Sequence, residues 1–156
     1  MSSDTLTDFQ KAKIINVQFG KRTKVVEPCN LYDCFIGEGC FIGPFVEIQS
    51  SCKVGRNSRI QSHSFLCSKV EIGENCFIGH GVIFTNDLFK EGMPSTEKRN
   101  WLPTLIENDV SIGSGTTLLP VRIVSGCVIG AGSVITKDLE VKGIYAGNPA
   151  KLIREI

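Results

Sequence analysis

Three residues in the segment FIGHGVIFTNDLF, Phe77 to Phe89, and one upstream have types suited to chemistry on a polar substrate. His80 and His63 carry imidazoles, which titrate near working pH and can take a proton from a reacting group. Asn86 can orient a substrate group by hydrogen bonding, and Asp87 beside it adds a carboxylate. Plainer roles exist for all four. Histidines at exposed corners need no function, and asparagine and aspartate are common where a strand turns out into a loop. What separates the two readings is the scaffold that positions these residues.

That scaffold is a repeat. Stepping by six from Ile36 gives Ile42, Ile48, Val54, Ile60, Leu66, Ile72 and Ile78, with Phe84 as the next seat. Glycine often follows the aliphatic (Gly37, Gly43, Gly55, Gly73, Gly79), and a small or slim residue stands four positions after it (Cys40, Val46, Cys52, Ser58, Ser64, Val70, Cys76, Val82). Neither the helical period nor plain strand alternation produces this. A six-residue period with two inward seats fits a short strand and a sharp corner, with glycine serving the corner where a side chain or a negative φ is awkward. Three faces make one 18-residue coil, and coils stack as parallel strands about 4.8 Å apart. The period does not set the hand of the coil.

The repeat returns as Ile106, Ile112, Leu118, Ile123, Ile129 and Ile135, with one residue dropped in LLPVRI. Between Phe84 and Ile106 it is absent, and TNDLFKEGMPSTEKRNWLPTL reads as a loop extruded from the coil. The expected organisation is one domain over 1–156: a tail or cap at 1–15, coils at 25–85 and 106–140, an extruded loop at 86–105, and a C-terminal segment at 141–156, short and basic at its end, for which a helix is one reading. Coil geometry puts His80 at the same corner as His63, one coil above and one residue along. Asn86 lies one corner away from His80, too far for easy contact within one chain, but the two could meet across the groove of a trimer, which is a reason to expect assembly.

Composition narrows the partners. A net charge of +1 gives no electrostatic case for nucleic acid or an anionic membrane. No segment has signal-peptide or membrane-spanning character, so a cytoplasmic protein is expected. The seven cysteines form no CxxC pair and have no histidines at zinc-site spacing, so no metal is expected. Six of them (Cys29, Cys34, Cys40, Cys52, Cys76, Cys127) occupy the small inward seat and read as compact hydrophobes. Cys67 alone falls in a corner seat, the one cysteine not expected to face the core.

These residues resemble the left-handed parallel β-helix of hexapeptide-repeat acyltransferases, an all-β fold. IGAGSVITKDL and AGNPAKLI are similar to the C-terminal signature of that superfamily. NLYDCFIGEGCFIGPFVEIQ, SHSFLCSKVEIGENCFIGHGVIFTND and WLPTLI resemble the branch that acetylates 3-amino sugars carried on UDP or dTDP. The resemblance implies homotrimers with active sites between neighbouring prisms, and acetyl-CoA lying along the groove. It also implies a sugar nucleotide as acceptor and products used in lipopolysaccharide O-antigen, S-layer or related surface glycans.

On that footing FTND matches the family segment whose asparagine lies near the sugar and its amine, which makes Asn86 and Asp87 substrate ligands. His80, Asn86 and His63 are the catalytic candidates. Ser114 and Ala131, each two residues after an inward aliphatic, share one column whose backbone amides can bond the pantetheine arm of CoA. Thr136 lies one face further on, and Lys137 and Lys151 are candidates for the phosphates, as point charges. Whether histidine or the departing thiolate takes the proton stays open. The alternatives are O-acetylation of a small sugar or serine, and a non-catalytic β-helix scaffold. A γ-type carbonic anhydrase shares the fold but needs three histidine ligands, and this chain has two.

Overall fold

A computed structural model describes residues 11–156. The expected cap at 1–15 falls mostly outside these residues. Among the described residues the chain winds through three sheets in rotation, parallel except for the final pair of strands: a first face of seven strands, a second of six and a third of eight. Register follows the sequence period: Ile42 aligns with Ile60, Ile60 with Ile78, Ile78 with Ile112, and Ile112 with Ile129. This is the left-handed parallel β-helix that the family resemblance implies. Coiling begins earlier than expected, with Ile14–Ile15 pairing against Asn30–Tyr32. Among the described residues no helix is long and apolar enough to cross a membrane.

The aliphatic seats form three ladders down the prism axis. Leu31, Ile48, Leu66, Phe84, Leu118 and Ile135 line the first face, and all are almost fully buried. Burying each such side chain contributes about 1.5–3 kcal/mol, so the ladders supply most of the driving force. The small seats do more than fill space. Ser58 and Ser64 donate to the carbonyls of Gly73 and Gly79 in the next coil, each at 2.8 Å. Cys40 donates to Gly55 and Cys76 to Glu107, each at 3.1 Å. A thiol in this seat is therefore a weak donor that ties one coil to the next, as well as a compact hydrophobe.

Two kinds of corner glycine have different causes. A Cβ on Gly79 would lie 2.6 Å from the Ser114 backbone nitrogen, so close stacking of coils, rather than φ, requires glycine there. The left-handed conformation falls two residues further on. Gly81 has φ of 64°, and His63, Phe45 and Asn57 occupy equivalent seats at 63°, 61° and 58°. At Leu119–Pro120, where one residue is dropped from the repeat, no left-handed residue occurs.

Two expectations are corrected. The C-terminal segment is an antiparallel hairpin, not a helix: Gly143–Gly147 extends the third face beside Val128–Ile129, and Ala150–Glu155 folds back over it. A helix would leave the Gly143–Gly147 edge unpaired, whereas the hairpin covers it. Cys67 is buried, with 4% exposure. The seat it occupies holds Gln49 below and Thr85 above, not glycine.

Candidate active site

The corner that leaves the third face collects four of the nine predicted residues, His63, His80, Ser114 and Ala131. His80, Ser114 and Ala131 follow Ile78, Ile112 and Ile129 by two residues each, and the register of those strands stacks them in one column. The His80 N–H donates to Ser114 Oγ at 3.2 Å, and the Gly132 N–H donates to the Ser114 carbonyl at 2.9 Å. All three residues are exposed. Among the described residues, neither the Ser114 nor the Ala131 N–H donates a hydrogen bond within the chain. Beside them run Gly81, Gly115 and Gly132, where an added Cβ would meet nothing within 4 Å. The result is a bare strip down the corner across three coils, one wall of a gutter, with two free backbone donors beside it and His80 at its lower end.

His63 sits one coil below at the same corner, with the Gly81 N–H donating to the Ser62 carbonyl at 3.0 Å. Its ring stacks on Phe45, with centroids 4.9 Å apart and planes inclined by 26°. Sequence reasoning passed over Phe45. The signal was available, because Phe45 lies 18 residues before His63, in the seat directly beneath it.

Asn86 belongs to the next corner, at the far end of the strand Ile83–Phe84 from His80, so one chain does not bring the two together. Asn86 Nδ2 makes a long bond of 3.4 Å to the Ser68 carbonyl, and the Asn86 carbonyl accepts from the Leu102 N–H at 2.8 Å. The loop legs are thus tied at their root. Asp87 is committed to shaping the loop: its carboxylate accepts from the backbone N–H groups of Ser95 and Phe89. Those two bonds, Ser95 first, hold its pKa below the usual carboxylate value. Lys69 fastens the loop from outside, donating to the carbonyls of Trp101 at 2.8 Å and Lys98 at 2.9 Å. The loop encloses a groove of ≈ 580 Å³, lined in part by Lys90, Glu91, Met93, Arg99 and Leu102, which the sequence did not disclose.

Thr136 and Lys137 stand at the Asn86 corner near the top of the prism, away from Ser114 and Ala131. Lys137 and Lys151 line one groove of ≈ 320 Å³ together with Asp138, Leu139 and Glu140. Lys151 also pairs with Ala146, which packs over Gly130 beside Ala131, so it overlooks the upper end of the gutter.

The thiols are out of reach of a substrate. All seven cysteines are free and buried. Burial pushes Cys34 and Cys67 up to about 12 and Cys52 up to about 11. No group of three histidine, cysteine or acidic side chains among the described residues could hold a metal ion.

The sequence matches two descriptions of the repeat. The bacterial transferase hexapeptide (six repeats) covers residues 33–68, and the hexapeptide repeat of succinyl-transferase covers 69–84 and 103–137. The interruption falls at the extruded loop. The bifunctional protein GlmU of Thermodesulfovibrio yellowstonii is 41% identical over 108 residues, covering 69% of this chain but 22% of the relative. The chain thus spans less than a quarter of that relative's length. A hexapeptide-repeat acetyltransferase from Vibrio cholerae, solved with acetyl-coenzyme A, superposes with a TM-score of 0.69 at 21% identity, covering 80% of this chain and 71% of its own. A variant of perosamine N-acetyltransferase from Caulobacter crescentus, solved with CoA and GDP-perosamine, gives 0.64 at 18%, covering 92% and 58%. Repeat, register and relatives agree: the chain belongs to the hexapeptide-repeat transferase superfamily.

Proposed function

We propose that the chain is an acetyl-CoA-dependent N-acetyltransferase that acts in the cytoplasm, as a homotrimer, on the amino group of a UDP- or dTDP-linked 3-amino sugar destined for a surface glycan. The observation that carries this reading is the third-face corner: an exposed column of His80, Ser114 and Ala131 beside an open gutter, with two unpartnered backbone donors. Spaced by one coil, those donors suit the amide carbonyls of a pantetheine arm. A donor laid along them brings its thioester to His80. The Vibrio relative's complex with acetyl-CoA and the Caulobacter relative's complex with a nucleotide sugar support the donor and acceptor classes.

The chemistry asks little beyond placement. The neutral amine attacks the thioester carbonyl, a C–N bond forms, and the C–S bond breaks as CoA departs. The proton leaving nitrogen goes to the His80 imidazole or to the departing thiolate. Orientation and oxyanion stabilisation account for most of such a rate enhancement. Asn86, whose Oδ1 accepts no bond from the described residues, is placed to receive an N–H of the acceptor amine from the neighbouring prism. A corner is convex in a single chain, so a neighbour must supply the opposite wall.

The test is release of CoA thiol from acetyl-CoA in the presence of a panel of nucleotide-linked 3-amino sugars, with the product examined for a new amide. Turnover with a member of the panel supports the reading. Turnover only with hydroxyl acceptors, giving esters, replaces it with O-acetylation.

A further inference from the structure

The two histidines of the third-face corner differ in surroundings, and so in what they can do. His80 flanks the gutter and is bonded through its backbone to Ser114. His63 lies flat on Phe45 below the gutter's lower end. Above His63 the left-handed seats hold Gly81, Gly115 and Gly132, all open. The column is therefore two stacked rings followed by three bare glycines.

Phe45 is the odd residue in this arrangement. It adopts φ of 61° while remaining 57% exposed. Large side chains seldom take that conformation, because the Cβ crowds the backbone, and no core burial offsets the strain here. Glycine would suit the seat better, as it does in the coils above. An exposed, strained aromatic whose main contact is another exposed ring serves folding poorly.

Resting on the acetyltransferase reading, we infer that Phe45 and His63 form a stacked shelf on which the ring of the acceptor sugar sits by its apolar face. The upper face of His63 looks into the gutter. A sugar there lies one coil, about 4.8 Å, above His63 and so at the level of His80. That spacing sets a ring amine beside the imidazole and the thioester. His63 then works through its flat face as a positioning residue, and Phe45 backs it. The apolar C–H face of a hexose against an aromatic ring is the chemistry this geometry fits, and it leaves His80 as the one histidine free for proton transfer.

The experiment measures acceptor KM, acetyl-CoA KM and kcat by thiol release for the wild type, Phe45→Gly, His63→Ala, His63→Phe and His80→Phe. Losing a stacking partner raises acceptor KM by about threefold to tenfold, so His63→Ala and Phe45→Gly should show that rise with acetyl-CoA KM unmoved. His63→Phe should restore acceptor binding, since only a flat ring is needed. His80→Phe should lower kcat instead. Phe45→Gly should melt at or above the wild-type temperature, because it relieves strain; a merely structural Phe45 would melt lower when removed. The shelf is overturned if His63→Phe is as impaired as His63→Ala, or if the variants raise the KM of acetyl-CoA rather than of the acceptor. It is also overturned, and the acetyltransferase reading with it, if the wild type itself turns over no amino sugar.

Discussion

Replacing Ala131 by proline removes one atom of interest, the backbone hydrogen that the donor track needs. The structure contains a precedent for the change. Pro44 follows Ile42 by two residues, as Ala131 follows Ile129, and the intervening register keeps the seats in one column. Each is preceded by glycine (Gly43, Gly130) and followed by a left-handed residue, Phe45 at 61° and Gly132 at 69°. Proline is thus compatible with the corner, and the Ala131 N–H donates to nothing among the described residues. Stability should hold or rise slightly, by up to about 1 kcal/mol through reduced freedom of the unfolded chain. Binding should suffer, because a pantetheine carbonyl placed there loses its donor and is left poorly solvated. That loss is worth about 1–3 kcal/mol, or about fivefold to 150-fold in Kd. Calorimetric titration with CoA, beside a thermal melt, reads both quantities, and Ala131→Gly, which keeps the N–H, is the control. Wild-type affinity in a folded Ala131→Pro protein would refute the donor track; a collapsed fold would refute the seat equivalence.

Ser58 is fully buried, donates to the Gly73 carbonyl at 2.8 Å and accepts from the Cys76 N–H at 2.9 Å. Ser58→Ala should therefore cost about 2–4 kcal/mol in chemical denaturation, whereas Ser58→Cys, which keeps a donor in a seat used by Cys40 and Cys76, should cost about 1 kcal/mol. Asp87 has a folded pKa below its ordinary value, so its contribution is present above about pH 4 and is lost as pH falls through the folded pKa. Because Trp101 is the only tryptophan and its Nε1–H donates to the Ser95 carbonyl within the same loop, its fluorescence should change on acidification before the β-sheet circular dichroism does. With every thiol buried and Cys34, Cys52 and Cys67 raised to about 11–12, iodoacetamide at pH 8 should leave the native protein unmodified by mass, and denaturant should expose all seven sites. His80 and Asn86 stand at different corners, so inactive His80→Ala and Asn86→Ala chains should regain part of the activity when mixed and reassembled; no recovery would argue against a site shared between chains.

The parallel coil, its three faces and the extruded loop were legible because burial repeats with the backbone. Ile36 to Ile78 mark every turn by their spacing, and an interruption of that spacing is as readable as its presence. The first coil was missed for the converse reason: Ile14 and Ile15 are 37% and 43% exposed, so no buried aliphatic marks those strands. The C-terminal hairpin escaped because its six-residue return strand is exposed after Ala150 and carries no inward period. At the candidate site, the column of Ser114 and Ala131 followed from counting alone. What counting did not reveal was the membership of His80 in that column, or the loop bonds that occupy Asp87. The difference between glycine chosen for φ and glycine chosen for close stacking was also hidden, since both seats read simply as Gly. Cys67 was misjudged because its seat, one residue after the inward aliphatic, often holds glycine and reads as an exposed corner, whereas the residue is buried.

The donor track is most directly tested by a crystal structure of the protein with CoA. The account predicts the pantetheine arm along the corner that leaves the third face, with amide carbonyls accepting from the Ser114 and Ala131 N–H groups and the sulfur beside His80. CoA seated in the loop groove around Lys90 and Arg99, with the Gly81–Gly115–Gly132 gutter vacant, would contradict it.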